Sequence, residues 1–384
     1  MNNKKKYRIA LAIMTNGLEY EDRVRKEIGS ISTLYPNLEF KIFAALPNNK
    51  EYEGVTSFGV PFKSVFVPSR EKYASGTKTM YKAYDFYRVI KKELRDFDAV
   101  WCGDYHTVVI ALLCRNKPVL WDLHELPSML LGNSVKRMML RKVFANCKVI
   151  VHANTQRIVY LQRQGCIKYP EKHIALRNYP NFEDIDSDYD DKYKSFVEWK
   201  GNRDCVYLQG LNDSSRADKE SIEAVLSIPN LVAAVVGRFS EDTKKELERK
   251  WGKEVLSNRV FFVGKLPQLK IPQYVAMCIT SLVFYKNVRP NNYYCEANRF
   301  YQAVISGLPV VTGNNPSMKE LVERYGFGLS IEDDGEDIEK IKDGITEVIA
   351  HYDEFCKNIS NNRGRLIWNG QKEEVRCIVE TLFK

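Results

Sequence analysis

Short apolar runs alternate along the chain with longer stretches in which apolar positions recur every three or four residues. This is the rhythm of parallel sheets covered by crossover helices. In the first half the apolar runs predict strands at Tyr7 to Met14, Phe40 to Ala45, Ser64 to Val67, Ala99 to Cys102, Val119 to Trp121 and Val149 to His152. Helices fit between most of them. Met80, Ala83, Tyr84, Tyr87, Ile90 and Leu94 recur at helical spacing, while Lys78, Lys82, Asp85 and Lys92 face the other way.

The rhythm stops after Arg177-Asn178-Tyr179-Pro180, where the acidic stretch Asn181 to Asp191 has too few aliphatic residues to bury a face. It reads as a linker. The alternation then restarts, with strands expected at Val206 to Leu208, Leu231 to Val236, Val260 to Val263, Ile279 to Phe284, Pro309 to Thr312 and Leu329 to Ile331. The expected organisation is a first domain over 1–180, a linker over 181–200, a second domain over 201–360 and a closing helical segment over 361–384. In that segment Leu366, Ile367, Trp368, Val375, Ile378, Val379 and Leu382 are in helical phase, which fits a return to the first domain as well as a cap on the second. The fold class is therefore α/β, with two Rossmann-like, doubly wound domains whose strand carboxyl ends face an interdomain cleft, the default ligand site.

A length of 384 residues agrees with two domains. With 44% hydrophobic and 28% charged residues, 21 Gly and 14 Pro, the chain is neither disordered, collagenous nor membrane-spanning. Its charge is divided unevenly: residues 1–180 hold 30 Lys and Arg against 16 Asp and Glu, and residues 181–384 hold 28 against 33. The first domain is therefore expected to meet something anionic. Nine cysteines, an odd number with no C-x-x-C pair, are the usage of a cytoplasmic protein rather than a disulfide framework. Ile9 to Met14 is too short for a signal segment, and the longest apolar run, Val108 to Cys114, falls well below the roughly 18 residues a spanning helix needs.

Several chemistries lack their sequence signatures. No G-x-G-x-x-G follows the first strand, so no dinucleotide cofactor is expected, and no Walker A or G-x-S-x-G sequence occurs. The five His are isolated, and the Asp-x-Asp pairs at Asp96, Asp184 and Asp186 precede a strand or lie in the linker. No metal site is expected. Nucleic acid is set aside too, for want of a helix-turn-helix, zinc-finger or RNA-binding aromatic signature.

The most informative stretch runs from Asn291 to Gly313: a loop, a helix expected to open near Glu296, a Gly307-Leu-Pro turn and a buried strand. A helix N-terminus at the cleft suits a diphosphate, and Arg299 in its first turn could add a bidentate phosphate contact. The stretch resembles the "N-Y-Y-x-x-P-N-K-x-F-E-Y-x-x-x-G-x-P-V-V" signature of retaining glycosyltransferases of the GT-B fold, family 4 in particular. Asn298 and Arg299 fall on the Asn-Lys pair, Gln302 on the Glu that holds the donor ribose, and Tyr294 on the first position of the E-x7-E element. Both acidic positions are thus non-acidic here.

Other segments resemble the family in the same order. Glu21 to Glu27 matches its "D-x-R-V" helix, and Asp98 to Asp104 followed by Trp121-Asp-Leu-His-Glu125 matches its "N-D … Y-D-x-H-E" pair. Ile174 to Asn178 resembles the end of its first domain, and Tyr207-Leu-Gln-Gly210 with Arg216 resembles "Q-G-x-L-N-x-x-R-G".

The resemblance implies an enzyme that moves a sugar from a nucleotide-diphosphate donor to a glycan or lipid-linked acceptor, with retention and without a metal or other cofactor, in surface polysaccharide assembly. His124 takes the position that contacts the donor sugar, Asp104 and Glu125 orient or deprotonate the acceptor, and Arg216 and Arg299 stabilise the departing diphosphate. Gly17, Gly210, Gly264, Lys265, Tyr294, Asn298 and Gln302 are the donor-binding candidates. For the basic first domain, Ser134 to Phe144 and Lys78 to Arg95 suggest an anionic membrane surface, a solvated face being the alternative. A nucleotide-sugar 2-epimerase of the same fold and a non-catalytic glycan- or nucleotide-binding subunit are the rival functions.

Overall fold

A computed structural model of the chain describes residues 6–74, 77–181, 191–211, 214–267 and 270–384. It divides into two compact units, one formed by Met1–Asn178 with Gln371–Lys384 and the other by Tyr179–Gly370.

Unit 1 is built on β1 (Tyr7–Met14), β2 (Leu38–Ala45), β3 (Tyr52–Val55), β4 (Pro61–Ser64), β5 (Ala99–Gly103), β6 (Val119–Leu123), β7 (Val149–His152) and β8 (His173–Ala175), in the spatial order β3-β4-β2-β1-β5-β6-β7-β8. Only the β3–β4 pair is antiparallel. The chain winds outward from β1 in both directions, so the winding reverses between β1 and β5. That is where loops at the carboxyl ends part and a ligand crevice opens in such sheets. The edge strand β3 has no counterpart in the expected strands because it buries no alternate face, and β4 ends at Ser64 where a strand was expected to begin.

Unit 2 carries β9 (Cys205–Gln209), β10 (Val232–Val236), β11 (Val260–Gly264), β12 (Thr280–Val283), β13 (Val310–Thr312) and β14 (Gly328–Ser330), all parallel, in the order β11-β10-β9-β12-β13-β14. Here the winding reverses between β9 and β12. Cys205 and Tyr207 pack into the core on one side of the sheet, and Val206 and Leu208 into the core on the other. Strands buried on both faces explain why they read as continuous apolar runs rather than alternations.

Two expected boundaries change. Residues 182–190 of the anticipated linker lie outside the described residues, but Asp191–Lys200 is a helix, not linker. Its aromatic side chains decide this: Phe196 is fully buried and meets Phe261 and Tyr274, and Trp199 meets Phe261. The closing segment is likewise split. Leu366 belongs to the unit 2 core, whereas the helix Lys372–Phe383 packs against the helix Asp22–Leu34 of unit 1, burying Val375, Ile378, Val379 and Leu382. Gln371 secures the return with a pair of hydrogen bonds to the backbone of Arg177, both 2.8 Å.

Beside β6, His152 and His173 stack with Nε2 and Nδ1 2.9 Å apart, and burial drives both below the ordinary histidine range, His173 to about 4. The unfolded chain therefore binds protons that the folded pair refuses, so stability is lost as pH falls from about 6.5 towards 4. Urea midpoints measured across that window are expected to fall by an equivalent of about 2 kcal/mol, and His173→Gln should flatten much of the slope.

Candidate functional site

In unit 1 the sequence candidates converge on the carboxyl ends of β5 and β6. Asp104 follows β5 with φ 58° and ψ 175°, a conformation that costs a non-glycine residue about 1–3 kcal/mol. Four bonds hold it there: its N–H donates to Asp122 O at 2.7 Å, and its carbonyl accepts from Trp121 Nε1 at 3.0 Å, Thr107 Oγ1 at 2.8 Å and the Thr107 N–H at 3.2 Å. The result is a half-buried carboxylate fixed at the edge, with His106 Nδ1 3.7 Å from Oδ2 and the Glu125 N–H 3.4 Å from Oδ1. Glu125 is the more exposed of the two acids, and partial burial together with the Asp104 charge raises its carboxyl.

His124 sits one residue beyond β6 with Nε2 2.8 Å from Asp122 Oδ2. Asp122 is fully buried and is gripped by Arg23, whose Nε lies 3.1 Å from Oδ2 and whose Nη2 lies 2.8 Å from Oδ1. Burial alone would raise Asp122, but the Arg23 and His124 charges hold it well below the usual carboxylate range. For His124 the balance runs the other way: burial lowers it, Asp122 outweighs burial, and the imidazole is raised to about 9. Arg157 Nη1 donates to the His124 carbonyl and secures the loop.

Arg23, Asp122 and Arg157 were not among the sequence candidates. The first two lie in motifs that were recognised, and the Asp122-x-His124 spacing at a strand end, which puts both side chains on one face, was the available signal. Gly17 also belongs to unit 1. Its φ of 168° is ordinary extended backbone, and its N–H is taken by Thr15 Oγ1 at 3.2 Å, so it closes the loop after β1 on itself.

The other six donor-binding candidates belong to unit 2. Gly210, at the end of β9, has φ 64°, Gly264, at the end of β11, has φ 76°, and Gly237, just after β10, has φ 105°. Gly210 N–H donates to Val236 O at 2.9 Å and Gly237 N–H to Gly264 O at 2.8 Å. Three adjacent strands thus end in a ledge without side chains, along which backbone can approach a flat group closely. Gly237 was missed because a lone Gly after an apolar run signals no more than a turn. Lys265 follows Gly264 and is exposed.

At the β9/β12 reversal, Arg299 is buried, with Nη1 donating to Gln209 O at 2.7 Å and Nη2 to Phe284 O at 2.6 Å. Its guanidinium lies 4.9 Å from the centre of the Tyr285 ring, and that of Arg216 lies 5.5 Å from the same ring. This corrects one expectation. Instead of a bidentate phosphate contact, both Nη groups of Arg299 join the ends of two strands, and its charge acts from behind the edge. Arg216 is half-buried and donates from Nη1 to Gly210 O at 2.7 Å. The helix opens at Asn298 rather than Glu296, because Glu296 is engaged with the Tyr301 hydroxyl and Ala297 stands at the N-cap. Asn298 is exposed, and Gln302 has a buried amide oxygen with no hydrogen-bond partner among the described residues. Tyr294 closes the short helix Pro290–Tyr293 and accepts from Ser317 Oγ at 3.5 Å through its carbonyl. Among the described residues no cluster of three or more His, Cys, Asp or Glu is arranged to hold a metal ion.

Residues 209–365, which span this whole edge of unit 2, match the family model described as glycosyl transferases group 1. This segment of unit 2 is similar to the group 1 glycosyl transferases. The chain's GT-B fold is shared with sucrose-phosphate synthase from Thermosynechococcus elongatus, at TM-score 0.77 and 15% identity over 98% of this chain and 99% of the other. An α,α-trehalose-phosphate synthase (UDP-forming) from Burkholderia vietnamiensis superposes at TM-score 0.73 and 14% identity, covering 98% and 100%. Anabaena HepE in complex with UDP-glucose does so at TM-score 0.69 and 15% identity, covering 98% and 100%. No protein of curated function matches by sequence. The group 1 match and the fold agree with the signature read at Asn291 to Gly313.

Proposed function

We propose that the chain is a glycosyltransferase of the hexosyltransferase type that moves a sugar, with retention and without a metal or other cofactor, from a nucleotide-diphosphate donor to a glycan or lipid-linked acceptor in surface polysaccharide assembly at the cytoplasmic side of a membrane. The observation that carries the donor assignment is the β9/β12 edge of unit 2, where two guanidinium groups flank Tyr285 beside a ledge of three glycines. The ledge seats the base, and Gln302 presents its amide oxygen to the ribose. Arg216 faces the diphosphate. When the bond from the sugar's anomeric carbon to the diphosphate breaks, negative charge builds on the leaving oxygens, and a fixed cation there lowers the barrier. Complexes of Anabaena HepE with UDP and with UDP-glucose favour a uridine donor.

Unit 1 takes the acceptor, with Asp104 orienting its hydroxyl and accepting the proton released as the new glycosidic bond forms. A membrane-borne acceptor suits the surface of this unit. Residues 126–170 contain eight Lys and Arg and no Asp or Glu, and the helix Ser134–Asn146 exposes Val135 and Met138 among its cations. Among the described residues no helix is long and apolar enough to cross a membrane. Such an enzyme is expected to co-sediment with vesicles containing anionic lipid and not with neutral ones.

The deciding experiment is a thermal-shift screen of UDP, GDP, ADP and CMP derivatives, followed by product analysis with the sugar nucleotide that binds. A ligand at 100 times its dissociation constant stabilises by about 2.7 kcal/mol, which is readily seen. Should none bind, the donor-site reading fails. Release of free epimerised nucleotide sugar without any acceptor would instead identify a 2-epimerase, and binding without turnover a non-catalytic subunit.

A further inference from the structure

His124 is backed by two buried side chains. Asp122 and Arg23 come from β6 and from the helix Asp22–Leu34, and Arg23 spends Nη1 on Leu176 O at 2.9 Å while Nε and Nη2 face the two carboxylate oxygens. A guanidinium only donates, and a carboxylate held between it and an imidazole only accepts. The hydrogen in the 2.8 Å contact between His124 Nε2 and Asp122 Oδ2 therefore belongs to the histidine.

The other groups around His124 refine the balance without reversing it. Asp104, at the end of β5, adds negative charge, and Arg23 opposes it from the helix side. Glu27, one turn beyond Arg23, has Oε1 3.0 Å from Arg23 Nη2, and burial drives its carboxyl upward, towards the neutral form. Glu125 lies next in sequence, and Arg157 supports the His124 carbonyl from the helix Thr155–Arg163. The His124 side chain keeps 22% of its surface exposed, so the ring reaches the edge of the unit although its partner does not.

We infer that Arg23 and Asp122 are positioning residues that hold His124 as an imidazolium, with Nε2–H on Asp122 and the second ring N–H, on Nδ1, offered to a substrate oxygen. His124 is then a charged donor at neutral pH and cannot serve as the general base, which leaves proton acceptance to the carboxylates beside it, Asp104 and Glu125. The inference rests on the glycosyl-transfer reading for its consequence in turnover, but not for the charge state of the ring.

Two measurements on the full chain test it. The first is an NMR titration of ring-labelled histidines in the wild type, with His124 assigned by comparison with His124→Gln. The expected midpoint is about 9, in contrast to the pair His152 and His173, which stay neutral down to acid pH. A His124 midpoint at or below about 6.5, the ordinary value, would overturn the inference. The second is kcat/KM against pH with the donor identified by binding. Loss of the required cation makes the wild-type profile fall about tenfold per pH unit above the His124 midpoint. In Asp122→Asn both the titration midpoint and the alkaline limb should move down together by at least one unit, costing about twofold or more at pH 8 and about tenfold or more at pH 10. A limb that stays in place while the midpoint moves would also overturn it.

If Asp122→Asn does not fold, the wild-type titration and its alkaline limb still decide. An imidazolium at pH 8 in a protein that transfers no sugar would sink the proposed function and leave the charge-state inference standing.

Discussion

Arg299→Ala is expected to destabilise the protein by about 3–5 kcal/mol, since it removes two hydrogen bonds from a charged donor, each worth about 1.5–3 kcal/mol, and leaves two backbone carbonyls to find water. The carbonyls are those of Gln209 and Phe284, at the ends of β9 and just beyond β12, and the vacated space lies beside Tyr285. Sugar-nucleotide affinity should fall with stability, because the same two strand ends carry Gly210 and the loop that reaches Arg216. Arg299→Lys should recover less than half of the loss: a lysine is a single point of charge and cannot reproduce the planar fork that spans both carbonyls. Urea unfolding of the three proteins checks this. A midpoint for Arg299→Ala within error of the wild type would show that the guanidinium does not tie the strands.

Arg23→Ala should cost about as much in unit 1, about 3–5 kcal/mol, for a different reason. Asp122 has no exposed surface, and without its bidentate partner it becomes a buried charge held only by His124. Removing Asp122 as well relieves that charge, so Arg23→Ala combined with Asp122→Ala should be less destabilised than the sum of the single changes, by about 2 kcal/mol or more. Strict additivity in a double-mutant cycle would contradict the coupling that the geometry implies.

The same two arginines show how far the amino-acid order could be read. Both lie in stretches that resemble the family, Arg23 in the opening helix and Arg299 in the Asn291 to Gly313 signature. The sequence pattern points Arg299 at a phosphate and gives Arg23 no partner. An arginine beside a helix start has the same local pattern whether it faces a ligand or a carbonyl, so its partner is invisible in sequence. Asp122 was passed over for a similar reason: an acid inside an apolar strand carries no mark of what neutralises it. Composition extends the acidic linker too far because charge dominates up to Asp191, whereas the helix after it is decided by Phe196 and Trp199 and by the aromatic rings they meet across unit 2.

The amino-acid order by itself determined two doubly wound α/β units, nearly all of their strands, and a group 1 signature at the second sheet's edge. Those features are local. Apolar runs, helical spacing and glycine turns are written over a few to a few tens of residues, and each limits the backbone where it stands. Only the tertiary structure decided that Arg23 grips an aspartate 99 positions away, that Gln371 holds a backbone 194 positions back and that Arg299 joins two strand ends. Those pairings set charge states and stabilities, and they arise from burial, which brings together groups that no spacing along the chain connects.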